Sequence, residues 1–163
     1  MKKSLLVLFT LITSLAFAQK PAASPTITTE SDNVKVVYGQ PSKKEREIFG
    51  KLVPYGEVWR TGANAATEVT FKKDVTFGGA RVKAGTYTLF SIPTKDEWTV
   101  ILNTELKQWG AYGYDKIKDK NVASVKVKSM NNEALVEKLT ITAEDSQISI
   151  AWDMTVVRVP LKW

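Results

Sequence analysis

Residues 84–93, Ala-Gly-Thr-Tyr-Thr-Leu-Phe-Ser-Ile-Pro, carry the strongest strand signal in the chain. The segment is rich in β-branched and aromatic residues, which favour strands. Because side chains alternate along a strand, Tyr87 and Leu89 would face one side and Phe90 and Ile92 the other. Apolar residues on both sides predict a central strand of a sheet. We also expect Tyr87 to hydrogen-bond back to the backbone, as corner tyrosines do in sandwiches.

Strand signals continue on both sides of this segment. They cover residues 34–38, 67–71, 75–82 (with a hairpin turn at Gly78-Gly79), 98–102, 122–128, 135–143, 148–152 and 154–163, with turns at 130–133 and 145–146. Residues 41–50 favour one or two helical turns closed by Gly50. About nine short strands with frequent turn signals predict an all-β fold, a single-domain antiparallel β-sandwich or barrel-like sandwich with at most one short helix.

The first 18 residues have the layout of a secretory signal peptide. Lys2 and Lys3 precede an apolar run, and Ala16-Phe-Ala18 is a small-x-small cleavage site. The run is shorter than the about 20 residues that a membrane-spanning helix needs. We therefore expect an exported protein, periplasmic or extracellular, with no membrane span after signal cleavage. Residues 19–33 are expected to form a flexible leader, and residues 34–163 a single β domain.

The chain contains neither Cys nor His. Disulfides, Ser-His-Asp triads, cysteine nucleophiles and the usual zinc and copper sites are therefore excluded. Side-chain oxygens at Asp115, Asp119 and Asn121 suit calcium, but the interleaved lysines oppose cation binding. We predict no metal site and no cofactor.

The formal net charge is +6, and removal of Lys2 and Lys3 with the signal peptide leaves +4. The remaining lysines are scattered or stand beside acidic residues, as in 42–47. Nucleic-acid binding usually needs a clustered basic face, so the pattern indicates a solvated surface and no nucleic-acid partner.

Residues 59–64, Trp-Arg-Thr-Gly-Ala-Asn, form the first candidate ligand-binding segment. Arg60 offers a planar fork of donors that matches a carboxylate, sulfate or phosphate. Thr61 and Asn64 add polar groups beside the indole of Trp59. The alternative is structural, with Arg60 stacked on an aromatic ring and Asn64 capping a turn.

Trp109, Tyr112 and Tyr114 form the second candidate, in an irregular segment with Gly110 and Gly113 between them. Aromatic rings exposed on loops can stack on sugar rings, because they pair an apolar face with a polar edge. The alternative is that these rings fill a small satellite core beneath the loop. If both aromatic loops lie at one end of the sandwich, the binding interpretation gains strong support.

Two blocks of sequence carry a resemblance to a known family. They are Phe-Gly-Lys-Leu-Val-Pro-Tyr-Gly-Glu-Val-Trp-Arg-Thr-Gly-Ala-Asn at 49–64 and the segment 84–93, followed at suitable spacing by 98–103 and 108–112. With these blocks the chain resembles the exported bacterial proteins of domain-of-unknown-function family 2911. The resemblance extends from about Val34 to the C-terminus. It implies a secreted single-domain β protein and brings no established activity, substrate or catalytic residue.

Three functions remain open from the sequence. The leading hypothesis is a non-enzymatic binding module for a small polar, anionic or carbohydrate-like ligand, with no catalytic residue assigned. The first alternative is a glycosidase-like hydrolase using two carboxylates, drawn from Glu57, Glu68, Asp115 and Asp119. The second is a structural or envelope-interaction domain, which would present a flat apolar patch or an open strand edge to a partner protein.

Overall fold

The structure is a computed structural model that describes residues 24–163. The predicted signal peptide and the first residues of the predicted leader therefore lie outside the described residues. Residues 24–163 form nine antiparallel strands: β1 (Thr26–Glu30), β2 (Val34–Gly39), β3 (Thr67–Phe71), β4 (Val75–Phe77), β5 (Ala80–Val82), β6 (Gly85–Ile92), β7 (Glu97–Asn103), β8 (Asn121–Glu144) and β9 (Gln147–Lys162). Their order in the sheet is β1-β2-β3-β6-β7-β8-β9-β4-β5, and the sheet is not closed into a barrel. The predicted all-β, sandwich-like class is confirmed.

The long strand β8 belongs to both layers of the sandwich-like fold. Its residues 121–128 pair with β7, and its residues 129–144 pair with β9. The second half of β8 also contacts β1 and the segment that follows β2: the Ala143 amide donates to Thr29 Oγ1 (3.3 Å) and the Leu139 amide to Pro41 O (3.0 Å). The apolar faces of the strands meet in one core, whose largest fully buried side chains include Trp98, Trp152, Phe71 and Phe77.

The predicted turn at residues 130–133 is wrong, because β8 runs through it. The pairing with β9 shifts register between Asn131 and Val136 and again before Thr140. An antiparallel ladder absorbs extra residues as bulges, so exposed polar residues need not leave the sheet. Likewise β9 joins two predicted strands, since Asp153 takes a left-handed conformation (φ 56°) while still pairing with Val136.

The first described strand lies inside the segment that was expected to be a flexible leader. β1 pairs with β2 from Thr26 opposite Gly39 to Glu30 opposite Lys35. The Pro- and Ser-rich composition around this segment indicated a leader, but its β-branched Thr and Ile residues suit an edge strand. The chain therefore enters the fold before residue 34.

Several local predictions are confirmed. β6 lies between β3 and β7, and Gly78-Gly79 forms the turn between β4 and β5. The Tyr87 hydroxyl donates to Lys83 O (2.9 Å). The helical turn expected at residues 41–50 is absent from this described stretch, where Lys44 and Glu45 adopt positive φ (49° and 61°) that an α-helix does not accommodate. Two 3-10 helices occur instead at Tyr114–Lys116 and Lys118–Lys120.

No helix within residues 24–163 has the length and apolar character needed to cross a membrane.

Candidate functional site

The two candidate segments lie side by side. Ala65 and Trp109 form an antiparallel bridge. The Gly110 amide donates to Asn64 O (3.0 Å), and the Ala66 amide donates to Gln108 O (2.9 Å). The backbone therefore holds the segments 52–64 and 107–121 in direct contact.

The loop around Arg60 is fixed by hydrogen bonds to the core strand β6. Trp59 and Ser91 exchange both backbone hydrogen bonds (2.7 and 2.9 Å), and the Thr61 and Ser91 hydroxyls lie 2.8 Å apart. The Trp59 indole donates to Gly62 O (3.2 Å), and the Thr67 hydroxyl donates to Thr61 O (2.7 Å). These bonds hold Thr61 in a left-handed conformation (φ 54°). The loop is therefore a rigid support for its side chains.

The same loop sits directly on Gly39 of β2. The Ala63 amide donates to Gly39 O (3.1 Å), and a Cβ atom at Gly39 would lie 2.0 Å from Ala63 O. No side chain fits there, so glycine permits this close approach. The next residue, Asn64, also has positive φ (64°), and its side-chain amide donates to Ser24 O (3.3 Å).

A cleft of about 350 Å³ opens in front of Arg60, and we name it the Arg60 cleft. Its wall includes Trp59 and Trp152, whose rings stack with centroids 6.1 Å apart and 17° between their planes. Three cationic side chains line it, and within the described part of the chain no carboxylate does. The polar and charged lining residues are Ser24, Ser42, Lys44, Arg46, Arg60 and Asn64.

Among the residues that line this cleft, Arg60 carries a buried side-chain donor that is unsatisfied within residues 24–163. Its Nε is buried, and it has no hydrogen-bond partner among residues 24–163. In this described range the side chain also makes no ion pair and no stacking contact with an aromatic ring. Arg46 differs, since its Nε donates to Lys43 O (2.9 Å) and its Nη2 to Ser42 O. Arg60 thus lines the cleft and carries a buried donor that no described residue accepts.

A second cleft of about 460 Å³, the Trp109 cleft, lies across the Ala63-Asn64 backbone. Both of these residues line both clefts. Trp109 is 67% exposed. The other residues with polar side chains that line the Trp109 cleft include Tyr38, Glu68, Lys107 and Gln108.

Four of the seven sequence-predicted residues line one of the two clefts. Trp59, Arg60 and Asn64 line the Arg60 cleft, and Trp109 lines the neighbouring one. Thr61 is fully buried, and its hydroxyl is engaged inside the loop.

The two tyrosines of the second segment have different surroundings. Tyr112 is 86% exposed and lines neither of the two clefts. Tyr114 packs edge-to-face on Phe90 (ring centroids 5.1 Å apart), and its hydroxyl accepts a hydrogen bond from Asn121 Nδ2 (2.7 Å). Tyr114 thus belongs to the small satellite core beneath the loop.

Sequence reasoning missed Lys44, Arg46 and Trp152 at the Arg60 cleft and Lys107 at the other. The alternating charges of 42–47 indicated only a solvated surface, and Trp152 matched a core position. No periodic signal marks their proximity to Arg60, because the fold brings them there from separate parts of the chain.

The four carboxylates of the hydrolase alternative are not paired in the two clefts. Glu57, Asp115 and Asp119 are exposed, and only Glu68 lines either cleft. Glu68 Oε1 accepts a hydrogen bond from the Lys107 amide (2.9 Å). Among residues 24–163, acidic side chains form no group of three or more that could hold a metal ion.

A third cleft, of about 440 Å³, lies at the other end of the sheet order, beside β4 and β5. There Lys83 Nζ lies 2.7 Å from Asp74 Oδ2. This hydrogen bond lowers the pKa of Asp74 and raises the pKa of Lys83 from their ordinary values. The charges of that cleft are therefore partly neutralised, unlike those beside Arg60.

No curated protein and no solved structure matches the chain. A family model described as protein of unknown function, DUF2911, matches residues 20–161. This range covers all nine strands except the last residue of β9, together with both clefts. The chain therefore belongs to the DUF2911 family.

Proposed function

We propose that the protein is a binding module for a small anionic ligand, which it holds in the Arg60 cleft. The observation that carries the proposal is the buried, unpartnered Nε of Arg60 in a cleft lined by cations. A buried donor without a partner costs about 1–3 kcal/mol. An anion bound to the guanidinium of Arg60 would offset part of that cost through its opposite charge.

The chemistry of the cleft suits a compact anion with an apolar part. A guanidinium binds carboxylate or phosphate through two parallel hydrogen bonds, and Lys44 and Arg46 add positive charge. The stacked rings of Trp59 and Trp152 supply an apolar wall. The volume is at the lower end of small-molecule sites, about 300–1,000 Å³.

Left-handed backbone supports the proposal. Lys44 and Asn64, which line the cleft, and Thr61, which lies in its loop, have positive φ although none is glycine. Such conformations cost about 1–3 kcal/mol each and cluster at functional sites.

The test is ligand binding by the chain from residue 19 onward, with Arg60→Met as the test variant and Arg158→Met as its control. Arg158 is exposed and lines neither cleft. The probes are phosphate, sulfate, citrate and glucuronate. Their binding is measured by thermal shift and by titration calorimetry. We expect at least one probe to stabilise the wild type and the control. Arg60→Met should weaken its binding by about 10- to 150-fold, the equivalent of a lost charged hydrogen bond.

Two results would contradict the proposal. One is that none of the four anions raises the melting temperature of the wild type. The other is that Arg60→Met binds the active anion as tightly as Arg158→Met does.

The interaction-domain alternative has less support from the fold. A partner strand would add at an edge of the sheet, and the edge strands β1 and β5 have only five and three residues. Very short edge strands restrict strand addition.

A further inference from the structure

We infer that the anionic ligand is an acidic saccharide, a sugar chain bearing uronic-acid carboxylates, with one ring stacked on Trp109 and a carboxylate in the Arg60 cleft. This inference rests on the proposed function, because it takes the Arg60 cleft as the anion site. It adds the class of ligand and a second point of contact.

Trp109 is an exposed ring on a fixed backbone. Trp109 is 67% exposed, yet its backbone forms a bridge with Ala65 and the neighbouring Gly110 amide donates to Asn64 O. Within the described residues the indole has no hydrogen bond and no stacked ring. Burial of exposed apolar surface by a partner is favourable, and a ring that is already immobilised loses little conformational entropy in the process. The apolar face of a pyranose ring is such a partner, since aromatic side chains combine a flat face with a polar edge.

The polar groups around Trp109 suit hydroxyl groups. Glu68 keeps one carboxylate oxygen outside its bond to the Lys107 amide, and the side chains of Lys107 and Gln108 are donors. One carboxylate and one ammonium group balance in charge. This cleft therefore favours the neutral, hydroxyl-rich part of a ligand, and the positive charge is concentrated beside Arg60.

The two clefts are close enough to share one ligand. Ala63 and Asn64 line both, so the two clefts adjoin at this stretch of the chain. A ligand that extends from one to the other must carry a ring and an anion on neighbouring units. An oligouronate has this arrangement at every residue, and its planar carboxylate matches the guanidinium fork.

The experiment titrates the chain from residue 19 onward with trigalacturonate, triglucuronate and trimannuronate, and with the neutral methyl ester of each. Wild type, Trp109→Ala, Arg60→Met and Trp163→Ala are compared by calorimetry. Trp163 is a matched control because it is also partly exposed but lines the third cleft, at β4 and β5. In Trp163→Ala, acrylamide quenching reports mainly on Trp109, since Trp59, Trp98 and Trp152 are buried.

We expect at least one trisaccharide to bind wild type and Trp163→Ala alike and to protect Trp109 from acrylamide. Trp109→Ala should weaken both the acid and its methyl ester by about tenfold, the upper range for an aromatic stacking contact. Arg60→Met should weaken the acid and leave the methyl ester unchanged.

The remaining outcomes separate the inference from the proposed function. If phosphate, sulfate or citrate binds through Arg60 but no trisaccharide binds, the saccharide inference is overturned and the proposed function stands. The same holds if an oligouronate binds with loss in Arg60→Met but with no change in Trp109→Ala. If neither the trisaccharides nor the simple anions bind, both fail.

Discussion

At the scale of single residues, the surroundings of Arg60 distinguish a ligand-binding role from a structural one. A structural arginine would tie the loop to the sheet through hydrogen bonds or ring stacking. Within residues 24–163 the buried Nε has no such partner, and the loop is held by Trp59, Thr61 and Ser91 instead. Replacement of the guanidinium by an apolar group should therefore remove an unsatisfied buried donor and leave the hydrogen bonds of the loop intact.

We predict that Arg60→Met raises the free energy of unfolding of the ligand-free protein by about 1 kcal/mol. Methionine keeps much of the apolar stem but has no donor to desolvate. The measurement is urea denaturation followed by tryptophan fluorescence, with Arg158→Met as the control that should stay within about 0.5 kcal/mol of wild type. A lower midpoint for Arg60→Met would show that the arginine is a structural tie.

Gly39 is the residue on which the candidate loop rests. We predict that Gly39→Ala destabilises the protein by about 3 kcal/mol, the upper range for overpacking, because its Cβ would collide with Ala63 O. Gly113→Ala is the matched control. Its Cβ would come no nearer than 3.6 Å to Gln108 Oε1, and its φ of −91° is open to alanine.

The stability of both glycine variants is compared by chemical denaturation. Their Arg60 clefts are then titrated with the anion that binds the wild type. Gly39→Ala should lose stability and binding together, and Gly113→Ala should retain both. Equal stability of the two variants would contradict the close contact between β2 and the loop.

At the scale of elements, one carboxylate joins two turns. Asp145, in the turn between β8 and β9, accepts hydrogen bonds from the Ser31 hydroxyl (2.7 Å) and the Asn33 amide (3.0 Å), in the turn between β1 and β2. The Ser31 bond and then the Asn33 bond lower the pKa of Asp145 below its ordinary value of 3.8. This contact helps to attach the first two strands to the end of the β8–β9 hairpin.

We predict a pH-dependent contribution of Asp145 to stability. Because its pKa is lower in the folded state, the contribution is fully present above the unfolded-state pKa and is lost as the pH falls through the folded-state pKa. Asp145→Asn should thus be less stable than wild type at neutral pH, and the difference should shrink below about pH 4. Urea denaturation at a series of pH values measures it.

The control for this prediction is Asp32→Asn, which removes the same charge from the exposed turn between β1 and β2. It should show no comparable loss at neutral pH. A gap between wild type and Asp145→Asn that stays constant down to pH 2 would contradict the assigned role.

At the scale of the whole molecule, one hydrophobic cluster unites strands from both ends of the described chain. It includes Val34 and Val36 of β2 and Val159 and Leu161 of β9. The hairpin of β4 and β5 joins this core through the end of β9, where Phe77 pairs with Leu161 and the Gly78 amide donates to Pro160 O (2.9 Å). The last residues therefore attach a hairpin that lies far from them in sequence.

We predict that removal of residues 160–163 lowers the free energy of unfolding by about 3–5 kcal/mol, from the buried Leu161 side chain and the lost hydrogen bonds. Removal of Trp163 alone should cost less.

Circular dichroism and tryptophan fluorescence should show coincident transitions in the full chain, as expected for one cooperative core. Two separate transitions would contradict a single folding unit.

Local patterns in the sequence were sufficient for the fold class and for much of the strand content. The alternation at Thr67, Val69 and Phe71 and the pair Gly78-Gly79 predicted elements that the structure contains, because strand period and turn preference are properties of neighbouring residues. The absence of Cys and His excluded whole classes of chemistry without any coordinates. Arg60 and Trp109 were also identified as candidates, since their chemical character is readable one residue at a time.

Only the tertiary structure brought these residues together. The contact between Ala65 and Trp109, the cations Lys44 and Arg46 around Arg60, and the unbroken course of β8 all depend on pairing between distant segments. Such contacts produce no periodic pattern in the sequence. The residues around a lysine do not show whether it lies beside a cleft, and those within a long strand do not show that a bulge lets the strand continue. The sequence by itself determined which chemical groups the chain carries. Long-range backbone pairing decided which of these groups line the same cleft.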